Sequence, residues 1–437
     1  MASKQEMSMT KIVLIGGGSY AWAPTIIRDI VVTDDLEGST ILLHDIDAKS
    51  LDVMLSLGKM MIERSGKKFK IEATTNRRQA LQDAEFVVLT ISTGGLEAMR
   101  HDLEIPLKYG IYQSVGDTVG PGGISRTLRN IPVVLEMAKD MEDLCPDAWF
   151  INYSNPMTTI CRAVTKTTKI KTIGLCHGLN EVVFMLRSIF EVKSENEMYL
   201  KAAGINHLPW IIELSVRGED GFQLLREYIR RNGISISPVK LELFKIYGCL
   251  PGTGDRHVAE FFPYFLTKEA GAGSKYGVRL TTIEDRYRGR ERQIEIVNKM
   301  LSGEIGIELK KSAETASNII SAIVNGRHEV EVLNLPNKGQ VNNLQREAIV
   351  ETYGLVGPGG AEGIAVGDVP PAVQAILHQH IVKHELTVEA ALKGDRELAL
   401  QAMLLDPLVR DFETAGKMLD ELLEANKGYL PQFFDKG

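Results

Sequence analysis

Lys11-Ile-Val-Leu-Ile-Gly-Gly-Gly-Ser-Tyr-Ala21 is the stretch from which the fold of this chain can be read. A short apolar run enters a glycine turn, and an apolar segment through Ile26 and Ile27 leaves it, which is a strand-turn-helix pattern. Gly16 and Gly18 allow the tight turn and a close backbone approach, and Ala21 takes the third small position. A helix N-terminus then faces a pyrophosphate. The next apolar run, Thr40–His44, ends at Asp45, where an acid can take the adenine ribose hydroxyls and favour NAD over NADP. Working outward, Phe86–Ile91 reads as a strand ending in Ser92-Thr93-Gly94-Gly95, a loop placed to run under the nicotinamide half. Trp149–Tyr153 and Thr172–Leu175 read as further strands, with helices over Ile131–Glu142 and Glu181–Phe190. Alternation of this kind up to about residue 195 predicts a doubly wound parallel sheet. Residues 196–437 change to mixed helices with long polar connections, which predicts a second lobe.

Composition narrows the function. At 437 residues and 44 % hydrophobic, the chain can bury a full core in two joined lobes. A net charge of −7, with nothing more basic than Lys67-Lys68, Lys310-Lys311 and the arginines near residue 290, argues against a nucleic-acid partner. Met1–Thr10 contains no apolar core of a signal peptide, and no run approaches a membrane span. The expectation is a cytoplasmic protein whose first eight residues are unstructured or a cloning remnant. Its four cysteines (Cys145, Cys161, Cys176, Cys249) form neither a CxxC pair nor a disulfide framework.

Chemistry gathers at strand ends. Thr172-Ile-Gly-Leu-Cys-His-Gly-Leu-Asn-Glu181 places Cys176 and His177 at the carboxyl end of a strand, where open α/β sheets bind ligands. Ala203-Gly-Ile-Asn-His-Leu-Pro209 sets Asn206 and His207 in a small apolar frame. Cys176 and His207 are read as two ligands of one catalytic divalent metal. Asn155 ends a strand before Pro156, so its side chain is expected to point into the crevice. Glycines crowd Asp117 and Thr118 in Gly116–Gly123, predicting a loop whose backbone approaches a ligand. Farther on, Leu241–Leu250 reads as helical, Gly252–Pro263 packs Asp255, Arg256, His257 and Glu260 into one segment, and Glu284–Arg292 is strongly charged. His378, His380 and His384 read as packing or surface residues on an amphipathic helix.

With these residues assembled, the chain resembles glycoside hydrolase family 4. The resemblance rests on Gly16–Ser19, Asp102 with Ile105–Gly110, Thr118–Gly123, Asn155-Pro156, Cys176–Leu179, Gly204–His207 and Leu335–Asn337. It implies a Rossmann-type sheet with a C-terminal mixed α+β lobe, like lactate and malate dehydrogenases, and a homodimer or homotetramer. It also implies tightly held NAD and a divalent metal, usually manganese. NAD takes a hydride from sugar C3, a base removes the C2 proton beside the metal, the aglycone leaves C1, water adds, and the hydride returns.

By the resemblance, Cys176 and His207 bind the metal and Asn155 binds sugar hydroxyls, while His177 assists the leaving group. Asp255 is expected as the base, with Tyr247 and Tyr264 left open. Gly16, Gly18, Ser19, Asp45, Ser92 and Asp117 are expected to face the cofactor, although Asp117 stands where many relatives carry glutamate. Cys176-His-Gly-Leu179 resembles members acting on α-linked uronic acids, α-galacturonides or α-glucuronides. A uronate calls for an arginine fork, with Arg100, Arg286 and Arg288 as candidates. The rival is a 2-hydroxyacid dehydrogenase, which would need no metal pair and would release NADH.

Overall fold

Lys11–Ile15 forms a strand, β1, because alternate residues find cover on opposite faces: Ile12 and Leu14 pack into one buried cluster, Val13 and Ile15 into another. A run buried on both sides has no polar alternation to show. The computed structural model describes residues 10–233 and 236–434, so the first eight residues, expected to be unstructured, lie outside the described residues. After β1 come β2 (Thr40–His44), β3 (Lys70–Thr74), β4 (Phe86–Leu89), β5 (Trp149–Asn152) and β6 (Lys171–Gly174). They pair in parallel in the order β3-β2-β1-β4-β5-β6. The order reverses between β1 and β4, the switch point at which such sheets bind a dinucleotide. β3 is an edge strand with no fully buried residue, and its sequence accordingly carries no apolar run.

The second half extends the same sheet. β7 (Met198–Ile205), β8 (Leu208–Val216), β9 (Glu219–Asp220), β10 (Leu250–Pro251), β11 (Glu329–Pro336), β12 (Ile349–Gly357) and β13 (Gly360–Gly363) pair antiparallel. β11 joins β6 through Asn334 and Gly174, so the sheet runs β10-β8-β7-β12-β11-β6 and on to β3. The fold is therefore a Rossmann-type α/β sheet with a mixed extension, as expected. Among the described residues no helix is long and apolar enough to cross a membrane.

Two local readings need correction. The segment after residue 196 opens with the β7–β8 hairpin rather than helices, and Asn206-His207 is its two-residue turn. The glycines after Asp117 belong to a helix, Gly120–Leu144. A Cβ on Gly122 would lie 2.7 Å from the Gly116 carbonyl oxygen and 2.8 Å from that of Asp102. Their smallness serves packing of this helix end, and in the loop before it only Asp117 keeps partial exposure.

The same helix carries Arg129, whose guanidinium forms a two-pronged pair with Asp102 at 2.8 and 2.5 Å and donates through Nε to the Thr93 carbonyl at 2.9 Å. Both side chains of the pair are 0 % exposed. The helices Pro371–Lys393, Arg396–Leu405 and Phe412–Ala425 cover this region.

Candidate active site

Gly16 turns at φ +90, and a Cβ there would meet the Thr90 carbonyl oxygen at 2.6 Å. The amides of Gly16 and Gly17 donate to the His44 carbonyl, and Ser19 donates back to Gly16. Asp45, at the end of β2, accepts from the Gly18 amide at 3.0 Å while staying partly exposed. Ser92 accepts from Gly95 in the loop after β4. The turn, the β2 acid and the β4 loop thus lie at the carboxyl ends of adjacent strands, where a dinucleotide fits.

A second group forms around Asp117, His207 and His257, whose ligand atoms lie within 4.8 Å of one another. His207 occupies the hairpin turn at φ +64, a left-handed conformation that costs most side chains about 1 kcal/mol or more. Its Nδ1 lies 2.9 Å from Thr118 Oγ1, which lies 2.8 Å from Asp117 Oδ1. The hydroxyl has one proton and gives it to the carboxylate, so His207 Nδ1–H donates to the hydroxyl. His207 Nε2 is left with a lone pair. The rings of His207 and His257 stack at 3.8 Å, and the buried His257 Nδ1 has no partner. Burial pushes the Asp117 carboxyl up, but nearby positive charge, that of Arg126 first and of Arg286 with it, outweighs burial and holds the carboxyl down to about 2. Burial keeps both histidines below their ordinary range and therefore neutral. An ionised carboxylate and two neutral imidazoles suit a divalent cation.

Two braces hold the loop of Asp117 against the short helix of His257. Glu260 Oε1 accepts from the Val115 and Gly116 amides at 2.8 and 2.9 Å, and Arg256 donates to the Ser114 carbonyl at 2.5 Å. On the far side, Asp406 accepts from the Gly120 amide at 2.9 Å and from Lys383 at 2.6 Å. Lys383 donates to His380 Nδ1 at 3.0 Å, so His380 Nε2–H donates to the Phe261 carbonyl at 3.1 Å. His380 and His384 are buried packing residues.

Glu260 gives a testable pH dependence. Burial pushes its carboxyl from the ordinary 4.5 up to about 8, so it holds its proton at neutrality. Below 4.5 the folded and unfolded chains are both protonated, and no cost arises. Between 4.5 and about 8 only the unfolded chain ionises. Stability then falls by about 1.4 kcal/mol for each unit of pH, and the loss levels off above that window. Glu260→Gln keeps an acceptor for both amides and cannot ionise, so its urea-unfolding stability is expected to lack that slope. Equal slopes in wild type and variant would show that Glu260 carries no such proton.

Beside these groups lie the residues at the end of β6. The Cys176 thiol is pushed up by burial, and next by the Glu351 carboxyl, with the Gly178 amide and the Asn206 side chain acting in opposition. Asn206 and Asn334 each donate to Glu351 Oε2 at 2.9 Å, while Glu351 Oε1 and both amide oxygens are buried without partners. Burial raises Glu351 to about 7. His177 Nδ1 is 3.0 Å from Glu314 and Nε2 is 3.5 Å from Glu181, and the Glu314 bond raises its pKa despite partial burial. Asn155 precedes a cis proline, and its carbonyl accepts from Arg126 and Asn130, each at 3.0 Å. Its own buried Oδ1 is unpartnered.

Several sequence-based assignments change here. Asp255 is not a free base: it accepts from Ser237 Oγ, the Val239 and Lys240 amides and Lys240 Nζ, which makes it the cap and counter-ion of the helix Pro238–Tyr247. Asp117, grouped with the cofactor residues, stands instead in the Asp117–His207–His257 cluster. Cys176 is not a member of that cluster. Of the three arginines, Arg286 reaches within 3.9 Å of Asp117, whereas Arg100 pairs with Glu97 and Glu104 and Arg288 with Asp285 on outer helix faces. Tyr247 packs against Trp210 and Phe262, and Tyr264 is largely exposed. His257 was missed although its segment was noticed. The available signal was its place in a short run already crowded with polar groups.

Comparison with known proteins agrees with this geometry. A profile of the family 4 glycosyl hydrolases matches residues 11–192, and one of that family's C-terminal domain matches 202–409. An alpha-galacturonidase of Lachnoclostridium phytofermentans is 34 % identical over 98 % of both chains. An alpha-galactosidase of Bacillus subtilis is 32 % identical over 97 % of this chain and 100 % of that one. Of solved structures, lplD of Bacillus subtilis superposes with a TM-score of 0.88 at 32 % identity, over 95 % of this chain and 100 % of that one. A Thermotoga maritima 6-phospho-beta glucosidase, solved with manganese, NAD+ and glucose-6-phosphate, gives 0.82 at 25 % identity over 96 % and 99 %. Malate dehydrogenase of Plasmodium falciparum, at 15 % identity and 0.53 over 90 % and 100 %, shares the fold alone.

Proposed function

The chain belongs to family 4 of the glycosyl hydrolases, and from that premise we propose that it hydrolyses α-linked uronic acids, galacturonides or glucuronides, with NAD and manganese. The observation that carries the reading is the cluster of Asp117, His207 and His257 in a chain that also builds the Gly16–Asp45 turn. Support for a uronide comes from near-full-length identity to an alpha-galacturonidase, set against similar identity to an alpha-galactosidase.

Gly16, Gly18, Ser19, Asp45 and Ser92 would hold the dinucleotide. His207 through Nε2, Asp117 and His257 would hold the metal, and Cys176, which lies beside Asn206 outside that cluster, would join them as a thiolate, its proton released to solvent. Bound there, the dinucleotide supplies a reversible hydride acceptor and the metal a Lewis acid for sugar oxygens. Asn155 Oδ1, buried and unpartnered, accepts from a sugar hydroxyl. His177, held by Glu314 and biased toward its protonated form, gives a proton to the departing oxygen. Two or four copies of the chain form the working enzyme.

Release of p-nitrophenol from the α-galacturonide and α-glucuronide tests this, with neutral α-glucoside and α-galactoside as controls and NAD, manganese and a thiol reductant present. Cleavage of one uronide, lost on withdrawing NAD or metal, is expected. Cleavage of a neutral glycoside alone would overturn the uronide. Cleavage of none, with NADH accumulating on a 2-hydroxy acid, would overturn the hydrolase.

A further inference from the structure

We propose that Arg126, with Arg286 beside it, is the subsite that reads an acidic group on the sugar, a carboxylate or a phosphate. The inference rests on the glycosidase reading above and names a residue that the sequence did not single out. Arg126 lies on the second turn of the helix Gly120–Leu144 and donates through Nε to the Asn155 carbonyl at 3.0 Å. That bond fixes the guanidinium next to the side chain assigned to a sugar hydroxyl. It also leaves both terminal amino groups of the fork unassigned.

The neighbouring charges do not match it. Arg129, one turn on, is fully matched by Asp102. Arg126 has no such carboxylate pair among the described residues; its strongest attraction is to Asp117. Asp117 is also the acid that Arg286 approaches at 3.9 Å, and the buried Nε of Arg286 has no partner. Two guanidiniums therefore share one carboxylate. One carboxylate cannot neutralise two half-buried guanidiniums, and a metal would add to the surplus of positive charge. An anionic ligand supplies the missing charge, and the planar fork of arginine binds carboxylate or phosphate through paired hydrogen bonds. A merely structural Arg126 would need only its Nε–H.

The test uses the full chain with NAD and manganese. Calorimetry compares galacturonate, galactose and galactose 6-phosphate on wild type, Arg126→Gln, Arg126→Lys and Arg286→Gln. Wild type is expected to hold one acidic sugar at least about tenfold more tightly than galactose. Arg126→Gln should erase that preference, Arg286→Gln reduce it, and Arg126→Lys restore part of it. Circular dichroism checks folding, and if Arg126→Gln does not fold, the lysine variant and Arg286→Gln carry the comparison. Loss of a preference for galacturonate identifies a carboxylate. Loss of a preference for the phosphate keeps the subsite and overturns the uronide. If the variant keeps the wild-type preference, weakens all three sugars alike, or loses NAD affinity instead, the subsite is overturned while wild-type cleavage of a uronide leaves the function standing. A wild type with no acidic preference overturns both.

Discussion

Replacing His257 with alanine is expected to weaken manganese binding by on the order of a hundredfold and to cut glycoside hydrolysis by on the order of a thousandfold or more, with the fold intact. The loss follows from three features of the site. His257 is stacked on His207, its Nδ1 is buried without a partner, and it faces an ionised Asp117. An unpartnered imidazole nitrogen at such a point gives up nothing on binding a cation, so its removal is not offset elsewhere. Free manganese measured by electron paramagnetic resonance separates affinity from turnover. A variant that binds manganese as well as wild type would show that the three residues meet only for packing. A selective loss of turnover at saturating manganese would place His257 on the substrate instead.

The second large effect concerns stability. Asp102→Asn is expected to destabilise the chain by about 3–5 kcal/mol, because it removes the counter-charge of a guanidinium buried as completely as Arg129. Breaking one side of a buried pair costs far more than removing both partners, so Asp102→Leu combined with Arg129→Met should recover most of the loss. Urea unfolding measures both. A single variant within about 1 kcal/mol of wild type would mean that water reaches Arg129 and replaces the lost charge. Because Arg129 also holds the Thr93 carbonyl, the double variant should refold stably with a looser β4 loop and weaker NAD binding.

The parallel half of the sheet was legible because buried strands announce themselves as apolar runs and Gly16–Ser19 has few other uses. β3 was not, since an edge strand needs no such run, and Lys70–Thr74 alternates weakly. The β7–β8 hairpin is hard to read because its turn is Asn206-His207 rather than a glycine pair, with His207 in the left-handed conformation at φ +64. Of the candidate site, Asn155, Cys176, His177 and His207 stood out as polar residues at strand ends. His257 and Arg126 did not, because each sits on a helix and only tertiary packing turns it toward Asp117. Asp255 misled for a related reason: a carboxylate that opens one short helix while capping another looks, in sequence, like one that is free.

The junction of β6 and β11 carries a consequence for how such a chain can be divided. Gly174 is the last residue of the strand leading to Cys176, and a Cβ there would strike Asn334 at 2.9 Å and Met157 at 2.7 Å. Asn334, across the junction, also donates to the Glu351 that borders the Cys176 thiol. The dinucleotide half and the antiparallel half therefore share one boundary strand and one set of side chains at the point where the chemistry is assembled. They are not exchangeable modules. A chimaera that imports either half must import its neighbour's Gly174, Asn334 and Glu351 with it, or the thiol is left facing a mismatched wall.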